Sequence, residues 1–198
     1  MPKLATALIA VLGLAFAAAP CQARTRVVHW SPFSDTRVAL RPGLIATPKY
    51  GGDCWTGSFV VHGAHRCMAG NYIYDPCFAD PTYEDTVVCA RDPFSMHVIR
   101  LRTDRVSGSH SARRGAVWAI RLASGLKCSF LQGASNVDNA GRRLNYACYG
   151  SRAVLWGNPI RQGPTWHIRL TRAAADPFSQ RPGPERLVAI RTAYIGSG

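Results

Sequence analysis

The 198-residue chain predicts an all-β fold, a single compact β-sandwich or small barrel stapled by three disulfides. Three observations carry that reading. Apolar and polar residues alternate with period two, Gly-, Pro- and Asn-rich turns punctuate the short apolar runs, and the cysteines are spaced for cross-strand pairing. Successive side chains of a strand point to opposite faces, so alternation marks a segment with one face buried. Convincing helical periodicity is absent, with at most a helical turn near "TRAAADP", residues 171–177.

The first segment is read as an export signal. Residues 4–19, "LATALIAVLGLAFAAA", are apolar except for Thr6 and follow the single charge of Lys3. The run is shorter than the roughly 20 residues that span a bilayer comfortably. An Ala17-x-Ala19 site would put Pro20 directly after the cut, where its locked φ makes a poor protease substrate. Lipidation of Cys21 calls for a small residue before it, and Pro20 stands there instead. Cleavage is therefore expected after Ala23, giving a signal peptide over 1–23 and a secreted or periplasmic domain over 24–198 with no transmembrane segment.

Cleavage there removes Cys21 and leaves Cys54, Cys67, Cys77, Cys89, Cys128 and Cys148, an even number suited to an oxidising compartment. Six cysteines allow 15 pairings in principle. The spacing favours near neighbours, 54 with 67, 77 with 89 and 128 with 148, each closing a short loop between adjacent strands. Loops of this size each contribute about 3 kcal/mol through the unfolded state if unstrained. No C-x2-C pair occurs, so neither a metal site nor a cofactor is expected.

The strands follow in order. In 97–102 Ile99 and Leu101 oppose Arg100 and Arg102; in 117–123 Trp118, Ile120 and Leu122 share a face opposite Arg121. In 165–171 Trp166, Ile168 and Leu170 point inward and His167 and Arg169 outward; in 187–195 Val188, Ile190 and Tyr194 oppose Arg191. Further candidates are "GSFVVH", "NYIYDP", "TVVCA", "LKCSFLQ", "RLNYACYG" and "AVLWG". Turns are assigned to "RPGL", "KYGGD", "SGSHSARRG", "DNAGRR", "GNPIRQGP" and "DPFSQRPGPE". The loop over 106–115 is the one candidate sub-boundary.

Charge is uneven along the chain. The formal net charge is +13, and 21 of the 24 basic residues are arginine. Residues 24–99 balance seven basic against seven acidic side chains, whereas residues 100–198 carry 16 against four. Arginine offers a planar fork of donors suited to carboxylate, phosphate or sulfate. Ile-Arg-Leu occurs three times, at 99–101, 120–122 and 168–170, and Ile190-Arg191-Thr192 nearly repeats it. Were those strands to share a sheet, Arg100, Arg102, Arg121, Arg169 and Arg191, with His167, would form one anion-binding face.

Catalytic signals are weaker. His62 and His65 form H-x2-H but face opposite sides of a strand unless a turn brings them together. Asp75, Asp80, Glu84 and Asp85 cluster in "DPCFADPTYED", where paired carboxylates run acid/base chemistry or two Asp-Pro turns bracket a disulfide. No G-x-S-x-G elbow and no phosphate-cradling loop is present. Catalytic residues are left unassigned. Trp55, Tyr72, Tyr74, Tyr83 and Trp156 lie beside turns or cysteines, where they either stack on a ligand or pack on disulfides.

"DPCF" with "VVCARDPF", then "VWAIRLASGLKCSF", "RLNYACYG" and "LWGNP", resembles a group of secreted bacterial disulfide-containing β proteins of unassigned activity. The likeness covers residues 52–195 and rests on cysteines, turn glycines and core aromatics. It implies an exported, disulfide-bonded domain and no reaction. The sequence thus favours an exported binding module for an anionic envelope polymer or an acidic protein, with nucleic acid not expected outside the cytoplasm. The alternative is a secreted hydrolase using the 75–85 carboxylates or the His62/His65 pair. Mass spectrometry of natively exported protein is expected to find Arg24 at the amino terminus and no alkylatable thiol.

Overall fold

The computed structural model describes residues 24–34, 39–108, 112–132, 143–172 and 184–196. The expected signal peptide with Cys21, His110 and most of the suggested helical turn lie outside them. The described residues form twelve strands and no helix. They are β1 (Arg26–Trp30), β2 (Ile45–Gly57), β3 (His65–Ala69), β4 (Tyr72–Ala79), β5 (Thr86–Cys89) and β6 (His97–Val106). The second half supplies β7 (Val117–Leu122), β8 (Lys127–Phe130), β9 (Leu144–Cys148), β10 (Ala153–Ile160), β11 (His167–Arg172) and β12 (Arg186–Gly196).

The fold is all-β, but two closed sheets form instead of a single one. Strands β2 to β6 close a five-stranded barrel through the parallel pairing of β2 with β6. Strands β7 to β12 run as an antiparallel meander, and β12 closes it against β7. The sheets change over between Val106 and Val117. β1 crosses back and adds in parallel to the last residues of β12, Arg26 opposite Thr192 and Trp30 opposite Gly196.

The disulfides pair as the spacing predicts. Cys54–Cys67 joins β2 to β3, Cys77–Cys89 joins β4 to β5, and Cys128–Cys148 joins β8 to β9. In the last two the cysteines are direct register partners. The first two bonds fill the five-stranded barrel with Val87 and Leu101, so sulfur is much of that small core. The larger barrel is filled by Ile120, Leu122, Leu155, Ile168, Leu170 and Ile190.

A third cluster sits between the barrels. Trp30 packs against Trp118 at 5.4 Å and edge-on against Phe78 at 5.8 Å, with Phe33, Val60, Val61, Val88 and Val98 around them. Its existence corrects two strand readings. Trp118 is an extra residue between the pairs Ala119–Tyr194 and Val117–Ile195, a β-bulge that turns its indole away from Ile120 and Leu122. Arg191 is the extra residue between Ile190–Leu122 and Thr192–Arg121. Past that bulge Ala193 and Ile195 face the barrel core, while Tyr194 packs toward the inter-barrel cluster and away from Ile190. One inserted residue reverses which side chains face inward.

Two turn assignments also change. "KYGGD" does not turn: β2 runs through it with register shifts at Gly52, Gly51 taking φ +71° and Gly52 facing Leu101 closely. "GNPI" likewise continues β10 as an irregularity between Trp156 and Ile160. Conversely "GSFVVH" leaves the strand after Gly57, because the Ser58 hydroxyl accepts from the amides of Val60 and Val61 at 3.1 and 2.9 Å. That turn delivers Val60 and Val61 to the inter-barrel core, where a Cβ on Gly196 would collide with Val61.

A Cβ at residue 52 would lie 2.6–2.8 Å from three carbons of Leu101. Gly52→Ala is therefore expected to lower unfolding free energy by about 1–3 kcal/mol. Gly108→Ala, with open space around it, is expected to stay within about 0.5 kcal/mol of the parent in urea titration.

Candidate functional site

The predicted arginine face is divided by the topology. Arg100 and Arg102 belong to β6, which is paired with β2 and β5 in the first barrel. Arg121, Arg169 and Arg191 belong to the second. The first pair is also matched by acid. Arg102 donates to Asp85 at 2.6 Å, and Arg100 lies 3.3 Å from buried Asp80, too poorly aligned for a hydrogen bond. Arg169 meets Glu185 at 3.1 Å and lies over the Trp156 ring at 4.8 Å. Arg121 lies 6.0 Å from the Phe94 ring. Only Arg191 and His167 come together, on a shared recess of about 670 Å³ with Gln162 and Thr165.

The 75–85 carboxylates are committed separately. Asp75 is buried with Arg66, whose guanidinium donates at 3.0 Å, and accepts from the Ser58 hydroxyl and the Phe59 amide. Burial nonetheless raises its carboxyl above the ordinary value of 3.8, against the lowering pull of Ser58, Phe59 and Arg66. Arg66 lies over the Phe59 ring at 4.6 Å, which covers the pair from solvent. Asp80 accepts from the Thr82 amide at 3.0 Å. Asp85 is held below its ordinary value, first by the Thr86 hydroxyl and then by Arg102.

The two histidines reach different points of the connection between the barrels. His65 Nδ1 lies 3.2 Å from the Ser107 carbonyl, and His62 Nδ1 lies 3.1 Å from the Ala112 carbonyl. Arg114 Nε donates to His62 Nε2 at 3.3 Å. The H-x2-H spacing thus serves to tie the connection down at both ends. The sulfurs of Cys67, Cys77 and Cys89 lie within 4.8 Å of one another, but all three are in disulfides.

Sequence reasoning missed the basic site that the connection builds. A recess of about 520 Å³ opens between the barrels, lined by Arg113, Arg114 and Arg161 with Asn145 and Asn158, and by no carboxylate among the described residues. The turn from Arg113 to Ala116 closes with a 3.1 Å backbone bond. Arg161, just past β10, donates to the Gly115 carbonyl at 2.5 Å and lies 4.7 Å over the Trp166 ring. Behind it Tyr146, buried and with its phenol pushed upward by desolvation, donates to the Val117 carbonyl at 2.7 Å. Arginines at 113, 114 and 161 sit in turns, where strand alternation carries no signal.

A second cleft of about 730 Å³ lies between the barrels, lined by Tyr72, Tyr74, Arg91, His97, Gln132 and Tyr149 among others. Lys49 donates to the Tyr74 hydroxyl at 2.8 Å and lies about 5 Å from the Tyr72 ring. Asp92 holds the wall together: its Oδ1 accepts from the Phe94 and Ser95 amides, and its Oδ2 accepts from Tyr149 at 2.5 Å. Burial, then the bond to Asp92, raises the Tyr149 phenol.

Comparison of the chain with protein-family models, curated proteins and solved structures returns no match. Among the described residues no helix is long and apolar enough to cross a membrane. The three disulfides are consistent with an oxidising compartment.

Tyr149→Phe is expected to cost about 1–3 kcal/mol by leaving a buried Asp92 oxygen without its donor, read as a lower urea midpoint. The folded chain holds the Asp75 proton more tightly than the unfolded chain does. That site favours folding most below pH 3.8 and loses its contribution as pH rises through the folded value. Asp75→Asn is expected to remove that downward trend from the stability–pH curve.

Proposed function

We propose that the chain is an exported binding protein that takes an anionic polymer of the cell envelope into the basic recess between its barrels. The observation that carries this reading is a concave wall with three guanidinium groups and no carboxylate among its described residues. Elsewhere the acidic side chains neutralise their neighbours, as Asp53 does with Arg105 and Asp85 with Arg102. Positive charge left unmatched in a concavity attracts anions more strongly than the same charge on an open face, because its walls exclude water.

The recess is also stiffly framed. Arg161 is pinned to Gly115 and stacked on Trp166, and Arg114 rests on His62, so little side-chain freedom is lost on binding. Forked donors suit phosphate, sulfate or carboxylate. A concave site favours the protruding groups of a polymer over the broad surface of an acidic protein. The resemblance to secreted disulfide proteins supports export on the same reading.

The mature domain is expected to be retained on immobilised anionic polymer at low ionic strength and released as salt screens the contact. Arg113→Gln, at an exposed side chain, is expected to weaken retention roughly tenfold. Equal retention on a neutral matrix would overturn the reading.

A further inference from the structure

We infer that the polymer is an acidic glycan lying along the seam between the barrels, its sugar ring seated in the tyrosine cleft and its acid groups in the arginine recess. The inference rests on the anion-binding reading above and names the class of polymer.

The two depressions belong to one seam. Both are walled by Phe130, and a pinched gap of only about 10 Å³, lined by Phe59, Arg66, Asp75, Gln132 and Arg143 among others, shares residues with each. The seam is therefore basic at one end and aromatic at the other. Tyr72 is two-thirds exposed and Tyr149 about two-fifths, although both stand beside well-packed strands. The ring of Tyr72 is held from one side by the ammonium of Lys49.

A sugar ring matches such a wall because its C–H face stacks on aromatic carbon while its hydroxyls exchange hydrogen bonds with the rim. Donors and acceptors are available from Tyr74, Arg91, His97 and Gln132. The Gln132 amide donates to the carbonyls of Asp75 and Arg91, which fixes its direction at the rim. The cleft volume of about 730 Å³ is within the range that encloses a small ligand. Inorganic polyphosphate has no apolar face to offer the tyrosines, and an acidic peptide has no rigid ring with hydroxyls on its edge.

The test is equilibrium binding of the disulfide-intact exported chain to three probes of matched charge: oligogalacturonate, inorganic polyphosphate and oligoglutamate. Oligogalacturonate is expected to bind tightest. Tyr72→Ala is expected to weaken it about tenfold and to leave polyphosphate unchanged, the size of one aromatic stacking contact. Arg113→Gln is expected to weaken all three. If Tyr72→Ala leaves oligogalacturonate binding intact while Arg113→Gln reduces it, the glycan inference falls and the anion reading stands. Tightest binding to oligoglutamate would replace the glycan by an acidic protein, and binding insensitive to Arg113→Gln would remove the recess itself.

Discussion

The contact of Trp30 with Trp118 and Phe78 organises the molecule, because one ring comes from β1, one from the second barrel and one from the first. The five-stranded barrel encloses little more than two disulfides, Val87 and Leu101. A core that small leaves much of its sheet surface to be covered from outside. The outward faces of Phe78, Val88 and Val98 are covered by the second barrel and by the returning β1. Both bulges of the β7–β12 pair serve this contact, since without them Trp118 and Tyr194 would point elsewhere.

Polar anchors then fix the two bodies along the same seam. Asp92 reaches from the segment after β5 to Tyr149 on the second barrel, and Phe94 packs edge-on against Tyr149 and Tyr194. His62 and His65 hold the connecting segment, while Arg161 reaches back to Gly115. Both depressions described above are by-products of joining two convex barrels along a line. Three arginines without a carboxylate among the described lining residues gather at the seam, whereas those on β6 face acidic neighbours. Charge density along the chain is therefore a poor guide to where an anion would settle.

Alternation found most strands because it reports local burial on one face. It failed where the backbone inserts a residue. Unbroken period-two counting puts Trp118 and Tyr194 on the wrong faces, because Trp118 is itself the inserted residue of one bulge and Tyr194 lies beyond another. Gly51 and Gly52 read as a turn because glycine usually marks one; here one takes positive φ within a strand and the other yields room to Leu101. Val60 and Val61 looked like strand residues, yet the Ser58 hydroxyl captures their amides and the chain turns. Neither β1, whose partner lies at the far end of the chain, nor β2 or β3 is among the strands that alternation picks out.

The cysteine pairing that the spacing favours is the one that forms, because each bond spans neighbouring strands and proximity along the chain brings the sulfurs together. The all-β class followed for the same local reason. The division into two barrels, the fate of each arginine and the basic recess were decided only by tertiary structure. Those features depend on which distant strands become neighbours, and the repeated Ile-Arg-Leu tripeptide reads alike whether its strands share a sheet or close separate ones.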